Sequence, residues 1–343
     1  MRILVTGGAG FVGSVSVERL VEAGHHVVVL DDLTTGHAPA VPDGVRLVRG
    51  SYGDQAATTR LLADERIDAI LHCAARSLVA ESIRDPARYY RDNVAGGIAL
   101  LDAARAAGTN RVVFSSTAAV YGIPDETPIP EDAPLRPINP YGETKRTFEG
   151  ALAWYGAAYG LRAVSLRYFN VAGATDRIGE VHDPETHLIP NVFRAVEGGP
   201  PLTIFGDDYP TPDGTCVRDY IHVADLADAH LLALEATDPG DPRTAPSPER
   251  GLLVCNLGNG GGFSVRDVIR AAEAVVGRNV PHSTGPRRAG DPPVLVASAT
   301  RAAEVLGWTP SRPSLEAMVT SAWEWRERHP QGYGDRGAGR ATE

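Results

Sequence analysis

Short apolar runs separated by amphipathic stretches set the rhythm of the first 173 residues. Residues 3–5, 26–30, 45–48, 69–72, 111–114 and 163–169 are apolar or β-branched stretches of strand length. Between them, residues 12–23, the segment around Leu61 and Leu62, and residues 86–107 and 140–159 repeat their apolar positions at helical spacing. Gly24 and Gly108 stand where helices should end, and Pro86 where one should begin. Strands apolar throughout, alternating with helices, predict a parallel sheet covered on both faces. Right-handed crossovers make that α/β sheet doubly wound.

The pattern changes after Gly173. Residues 174–220 are rich in Pro, Gly, Asp and Thr and predict an irregular, substrate-facing region. Helical spacing returns at 223–235, 265–276 and 315–328, and a strand at 252–257; residues 237–250 read as a Pro/Ser/Asp-rich surface loop. The expected organisation is a nucleotide-binding domain over 1–173, with returns at 217–236 and 252–262. A smaller, discontinuous α/β substrate lobe spans 174–335, and 336–343 forms a mobile tail. A chain of 343 residues buries a substantial core without staples. The net charge of −10 argues against nucleic-acid or anionic-membrane partners. Cys73, Cys216 and Cys255 have neither disulfide nor metal-like spacing, so no metal site and a cytoplasmic setting are expected. The sequence opens without a signal-peptide pattern, and no run reaches transmembrane length.

Two local patterns carry chemistry. Gly7-Gly8-Ala9-Gly10-Phe11-Val12-Gly13 joins the first strand to the first helix. Such glycines allow a tight turn and close approach to a pyrophosphate, which the helix N-terminus also attracts. Asp31 ends the second strand, eighteen residues beyond Gly13, near the spacing for a carboxylate on the adenosine ribose. It would repel a 2′-phosphate, and no Arg follows in Asp32-Leu33-Thr34-Thr35-Gly36. The pattern therefore predicts a Rossmann-type fold holding NAD rather than NADP.

The second pattern is Tyr141 four residues before Lys145, on one face of a helix. A nearby cation favours phenolate and makes the phenol a general base for a hydroxyl proton. Lowering a tyrosine from ~10 to ~7 takes about 4 kcal/mol. One positive charge at ~5 Å and an effective dielectric of ~20 supplies about 3 kcal/mol. Lysine alone falls short, and the positive nicotinamide of an oxidised cofactor can supply the remainder.

Longer motifs extend these patterns: Phe114-Ser115-Ser116-Thr117-Ala118-Ala119-Val120-Tyr121-Gly122, Leu166-Arg167-Tyr168-Phe169-Asn170, Ile204-Phe205-Gly206-Asp207-Asp208-Tyr209-Pro210-Thr211 and Asp213-Gly214-Thr215-Cys216-Val217-Arg218-Asp219-Tyr220-Ile221-His222-Val223, with His329-Pro330-Gln331-Gly332-Tyr333 near the end. From Met1 to about Asp335, the chain resembles the extended short-chain dehydrogenase/reductase family, and within it the enzymes that invert C4 of UDP-hexoses. The resemblance implies reversible interconversion of UDP-galactose and UDP-glucose through a 4-keto intermediate on bound NAD. It also implies a homodimer packed through the helices at 86–107 and 140–159. Thr117, Tyr141 and Lys145 become the catalytic set, with the Thr117 hydroxyl bridging the substrate 4-hydroxyl and Tyr141.

By the same resemblance the cofactor contacts Gly7, Gly10, Phe11, Val12, Gly13, Asp31, Asp32, Ser51, Tyr52, Cys73, Ala74, Ala75, Asn93, Ser115, Tyr141, Lys145 and Tyr168. The UDP-sugar contacts Thr117, Tyr141, Asn170, His187, Ile204, Phe205, Arg218, Tyr220, Arg288, Asp291 and Leu295. Within that set Arg218 and Arg288 clamp the diphosphate, Asp291 takes the uridine ribose, and Ile204 and Phe205 line the uracil site.

Some positions depart from the family pattern. Ser51 stands where many relatives have Asp, and Ser77 where some have Lys, which bears on cofactor affinity. Leu295 replaces a Tyr that narrows the sugar pocket in some relatives, so N-acetylated sugars are an alternative substrate, as are glucuronyl and pentose nucleotides. A dehydratase carries an Asp-Glu pair directly after the catalytic Thr, and a glucuronyl decarboxylase a Glu at the second of those positions. Here the pair is Ala118-Ala119, which transfers no protons and suits epimerisation. A non-catalytic NAD-binding scaffold would have lost Tyr or Lys, and a simple dehydrogenase would consume free NAD.

Overall fold

The computed structural model describes residues 1–245, 251–288 and 291–334. The expected tail at 336–343 and part of the 237–250 loop lie outside the described residues. The first half runs β1 (Arg2–Thr6), α1 (Phe11–Glu22), β2 (His26–Asp31), β3 (Arg46–Arg49), α2 (Gln55–Asp64), β4 (Ala69–His72), α3 (Val79–Arg84), α4 (Pro86–Tyr89), α5 (Gly96–Ala107), β5 (Arg111–Ser115), α6 (Pro140–Tyr159) and β6 (Arg162–Tyr168). It continues with β7 (Asn170–Ala172), α7 (Leu188–Val196), β8 (Leu202–Phe205), β9 (Val217–Arg218), β10 (Tyr220–His222), α8 (Val223–Ala236), β11 (Leu253–Leu257), β12 (Phe263–Ser264), α9 (Val265–Val276), β13 (His282–Gly285), β14 (Val294–Leu295) and α10 (Leu315–Arg328).

Seven strands form one sheet in the order β11-β6-β5-β4-β1-β2-β3, and every pairing in it is parallel. The apolar strands divide their side chains between two faces. Ile3 and Val5 point into a core shared with Val17 and Leu20 of α1 and Leu226 and Leu234 of α8. Leu4, between them, joins Leu62 of α2, Leu100 and Leu101 of α5, and Phe148 and Leu152 of α6 on the opposite face. Gly97 lets α5 approach α6, since a Cβ there would lie 2.6 Å from the Phe148 ring.

The helix expected over 86–107 is interrupted by a π-helical turn at Tyr90–Ala95. The region expected to be irregular, 174–220, contains α7 and β8. Pro190 helped hide α7. It sits in the first helical turn, where its missing N–H would have had no partner. β8 pairs with β13, Leu202 opposite His282, across a sequence gap that no local pattern bridges. Val192 and Phe193 of α7, Ile204 of β8, Val268 of α9 and Met318 and Trp323 of α10 form the core of this second lobe. Between it and the C-terminal ends of the sheet strands lies a cleft of ≈ 1150 Å³. The reversal of strand order beside β1 places the cleft where doubly wound sheets bind ligands.

Candidate active site

The glycine loop after β1 forms one end of the cleft. Gly7 has φ +71°, and a Cβ on it would lie 2.6 Å from the Ala74 nitrogen; one on Gly13 would lie 2.0 Å from the Gly7 oxygen. Gly10 is different: its absent Cβ has only the Gly7 oxygen nearby, at 3.4 Å. The loop is thus tight on its protein side and open at Gly10. Asp31, at the end of β2, accepts hydrogen bonds from the Ala9 nitrogen (3.0 Å) and the Leu33 nitrogen (2.8 Å). Burial raises its pKa despite those bonds. Ser51 accepts from the Gly53 nitrogen at 3.1 Å, and Tyr52 donates to the Asp92 carbonyl at 2.7 Å. Arg76 pairs with Asp92 at 3.0 Å, beside the exposed Ser77.

The centre of the cleft joins β5 to α6. Asn139 caps α6 by accepting from the Gly142 nitrogen (2.8 Å), and Pro140 takes the first helical position. Tyr141 therefore lies in the first turn, where the helix dipole favours negative charge. Burial raises the Tyr141 pKa, and the facing Thr117 hydroxyl acts in the opposite direction. Thr117 itself caps the turn after β5 by accepting from the Ala119 nitrogen at 3.2 Å. Lys145 is buried; its Nζ donates to the Ser115 carbonyl at 2.8 Å and lies 4.6 Å from the Phe114 ring centre and 6.0 Å from that of Tyr141. Burial lowers its pKa to about 8, against the attraction of Cys73 and Glu149. One turn further along α6, Glu149 holds Arg167 in a buried ion pair (2.6 Å).

At the other end, Asp291 forms an ion pair with Arg218, while the Arg288 guanidinium stacks 4.0 Å from the Phe205 ring centre. Asn170 donates its side-chain amide to the Asp219 carbonyl at 3.0 Å. Asp219 is buried and accepts backbone bonds from Asn259 (2.6 Å), Gly260 (3.1 Å) and Ala297 (3.0 Å), fixing the junction between β9, which carries Arg218, and β10, which carries Tyr220. Ala289 and Gly290, beside Arg288, lie outside the described residues.

His187 immediately precedes α7, beside Glu180, His182 and Glu185. Its Nδ1 lies 2.9 Å from Glu180 and 3.1 Å from Glu185; His182 Nδ1 lies 3.4 and 3.7 Å from the same carboxylates. Burial opposes charge on both rings. The carboxylates outweigh it, raising His182 to about 9 and His187 to about 10.

The structure brings nearly all the expected site residues to one cleft, from Gly7 and Asp31 at one end to Arg288 and Asp291 at the other. Asn93, Ser115 and Leu295 do not line it. Asn93 is buried and bonds the Arg76 backbone (2.8 and 3.0 Å) and Thr144 (3.1 Å). Ser115 bonds His230 Nε2 at 2.9 Å, where α8 covers β5. Leu295 packs with Val120, Tyr121 and Ile129, in the cluster that also holds the cleft-lining Phe169. Sequence reasoning did not single out Glu180, His182 or Glu185, although alternating acids and histidines within eight residues were a usable signal.

The profile of the NAD dependent epimerase/dehydratase family matches residues 3–245. The UDP-glucose 4-epimerase of Streptomyces lividans is 52% identical to this chain, covering 98% of it and 99% of the relative. The crystal structure of UDP-glucose 4-epimerase from Brucella ovis in complex with NAD aligns with a TM-score of 0.89 at 46% identity, covering 94% of this chain and 98% of that one. The enzyme from Bifidobacterium longum in complex with NAD+ and UDP aligns with a TM-score of 0.89 at 34% identity, covering 97% of this chain and 100% of that one. Family profile, full-length identity and superposed fold agree: the chain belongs to the NAD dependent epimerase/dehydratase family.

Proposed function

We infer that this enzyme interconverts UDP-galactose and UDP-glucose by inversion at C4, with NAD as its cofactor. The observation that carries the reading is the meeting of Thr117, Tyr141 and Lys145 midway along a cleft with a nucleotide cradle at each end. The open face at Gly10 and the Asp31 carboxylate suit a dinucleotide, so the residues present fit NAD. Held there, NAD would supply reversible hydride transfer at C4.

The chain's own residues handle the proton and hold the substrate. Tyr141 removes the proton from the C4 hydroxyl and gives it back, assisted by the Thr117 hydroxyl. Lys145 supplies the nearby positive charge. In the cofactor-free protein burial raises the pKa of the phenol, and the positive charge of an oxidised cofactor would act in the opposite direction. Arg218 and Arg288 hold the diphosphate, Asp291 the uridine ribose, and Ile204 and Phe205 the uracil, leaving the sugar free to turn over. Ala118 and Ala119 provide no acid for water elimination, which argues against a dehydratase.

The enzyme works in the cytoplasm as a homodimer. Free Cys73, Cys216 and Cys255 fit a reducing compartment, and no helix among the described residues is long and apolar enough to cross a membrane. The dimer reading is supported by exposed Trp154 and Tyr159 on α6.

The test is purified protein with UDP-galactose and no reductant, followed by NMR of the sugar. UDP-glucose should form without net NADH. Stoichiometric NADH, or a 4-keto-6-deoxy sugar, would replace this reading with a dehydrogenase or a dehydratase.

A further inference from the structure

We propose that Glu180, His182, Glu185 and His187 form a binding site for one Zn²⁺-class divalent cation in the wall of the substrate cleft. Zn²⁺ bound by His nitrogen and carboxylate oxygen at ~2.0–2.2 Å requires neighbouring ligand atoms about 3.3–3.5 Å apart in a tetrahedron. The four His-to-carboxylate distances here are 2.9, 3.1, 3.4 and 3.7 Å, which bracket that edge. All four ligand atoms lie within 4.8 Å of one another, so a modest contraction closes the site.

Three further observations separate this quartet from an ordinary cluster of surface charge. The Glu180 and Glu185 side chains retain only 11% and 7% of their exposure, and among the described residues neither is paired with Arg or Lys. Among the described residues their charge is balanced by the two imidazoles alone, a role that a divalent cation would take over. His182 Nδ1 is buried, and it faces both carboxylates without completing a hydrogen bond to either. A lone pair directed at a cation there would satisfy it. Lastly, Glu185 is held in place independently: its Oε1 accepts from the backbone nitrogens of Thr186 and His187, both at 2.8 Å.

The donor set fixes the class of ion. Two imidazoles with two carboxylates suit Zn²⁺ and its transition-metal neighbours, whereas Mg²⁺ and Ca²⁺ prefer oxygen alone. Four protein ligands leave no open position, so the ion is structural and not a Lewis acid for the substrate. It ties residues 180–187 to the start of α7 and so fixes one wall of the cleft. The absence of cysteine pairs led to no expectation of a metal, but this site needs none.

The experiment uses the full-length protein stripped with a chelator and dialysed. Titration with Co²⁺ should give one equivalent per chain with the intense visible absorption of four-coordinate cobalt, displaced by one equivalent of Zn²⁺. Zn²⁺ should also raise the unfolding temperature of the stripped wild-type protein. His182→Ala and Glu180→Gln should each weaken Co²⁺ binding at least ~10-fold, with circular dichroism and NAD binding retained. The proposal is overturned if the wild type takes up no stoichiometric Co²⁺, if its spectrum is the weak six-coordinate one, or if the four-coordinate spectrum survives both substitutions. A hydrogen-bonded His/Glu network without metal would give the first of these results.

Discussion

Gly142 and the carbonyl oxygen of Ala119 are packed so closely that a Cβ on residue 142 would lie 2.4 Å from that oxygen. This contact sets the first turn of α6, with Tyr141, against the turn that carries Thr117. Gly142→Ala must therefore move one segment relative to the other. Overpacking of this kind costs ~1–3 kcal/mol of stability, while a misplacement of ~1 Å at reacting groups can cost ~10²-fold in rate. The expected outcome is a folded enzyme that binds NAD normally and turns over about 10²-fold more slowly. Unchanged kcat would show that the Thr117–Tyr141 spacing does not matter to the reaction.

Lys145 creates the opposite balance between stability and activity. Its pKa falls from 10.5 to about 8 in the folded, cofactor-free protein. The folded state therefore holds this proton less tightly than the unfolded chain. The resulting penalty is complete below pH 8, shrinks as pH rises, and vanishes above the unfolded pKa. Its size is about 3 kcal/mol, less about 1 kcal/mol or more for the bond to the Ser115 carbonyl that a replacement would lose. Lys145→Met should thus raise the unfolding temperature of cofactor-free protein at pH 7, with the gain disappearing near pH 10, while kcat collapses. Urea unfolding at both pH values checks it, and a variant less stable than wild type at pH 7 refutes it.

Much of this site was legible because its signals are local. Gly7 to Gly13, Asp31 and the Tyr141–Lys145 pair each depend on spacing within one loop, one strand end or one helix. Contacts that join distant segments were not legible. Nothing near Asp291 indicates that it pairs with Arg218, and nothing near Gly142 points to Ala119. Ser115 and Asn93 occupy expected positions in the chain but face inward, because burial depends on what packs above them. In the second lobe, β9, β12 and β14 are two residues long and pair across the chain, so no periodicity could reveal them.

Acid should destabilise the protein through its buried histidines. His72 bonds Thr6 (2.7 Å), and His230 bonds Ser115 (2.9 Å) and Ser16 (3.2 Å); burial lowers both pKa values to about 3. Below pH 6.5 the unfolded chain binds these protons and the folded protein does not, so stability falls as pH falls. Each contributes about 1.4 kcal/mol per pH unit, giving about 5 kcal/mol for the pair between pH 6.5 and 4.5. His222, lowered to about 4, acts in the same direction. His230→Gln should reduce the slope of unfolding free energy against pH by about one proton. A slope equal to wild type would mean that His230 titrates normally.

Trp154 is 75% exposed in a single chain, an unusual position for so large an apolar surface. Tyr159, five residues further along α6, is also exposed, as are Val79 and Ile83 on α3 and Tyr90 in the π-helical turn. α3 packs on α6, so these residues belong to neighbouring helices. If two copies pair through this surface, Trp154 lies within the interface, where an aromatic side chain can carry a large share of the binding energy. Trp154→Glu would then bury a charge on each side of the two-fold axis. Sedimentation equilibrium should give a dimer for wild type and a monomer for the variant, with the fold preserved by circular dichroism. A monomeric wild type would refute the homodimer, and a dimer unaffected by the substitution would move the interface away from α6.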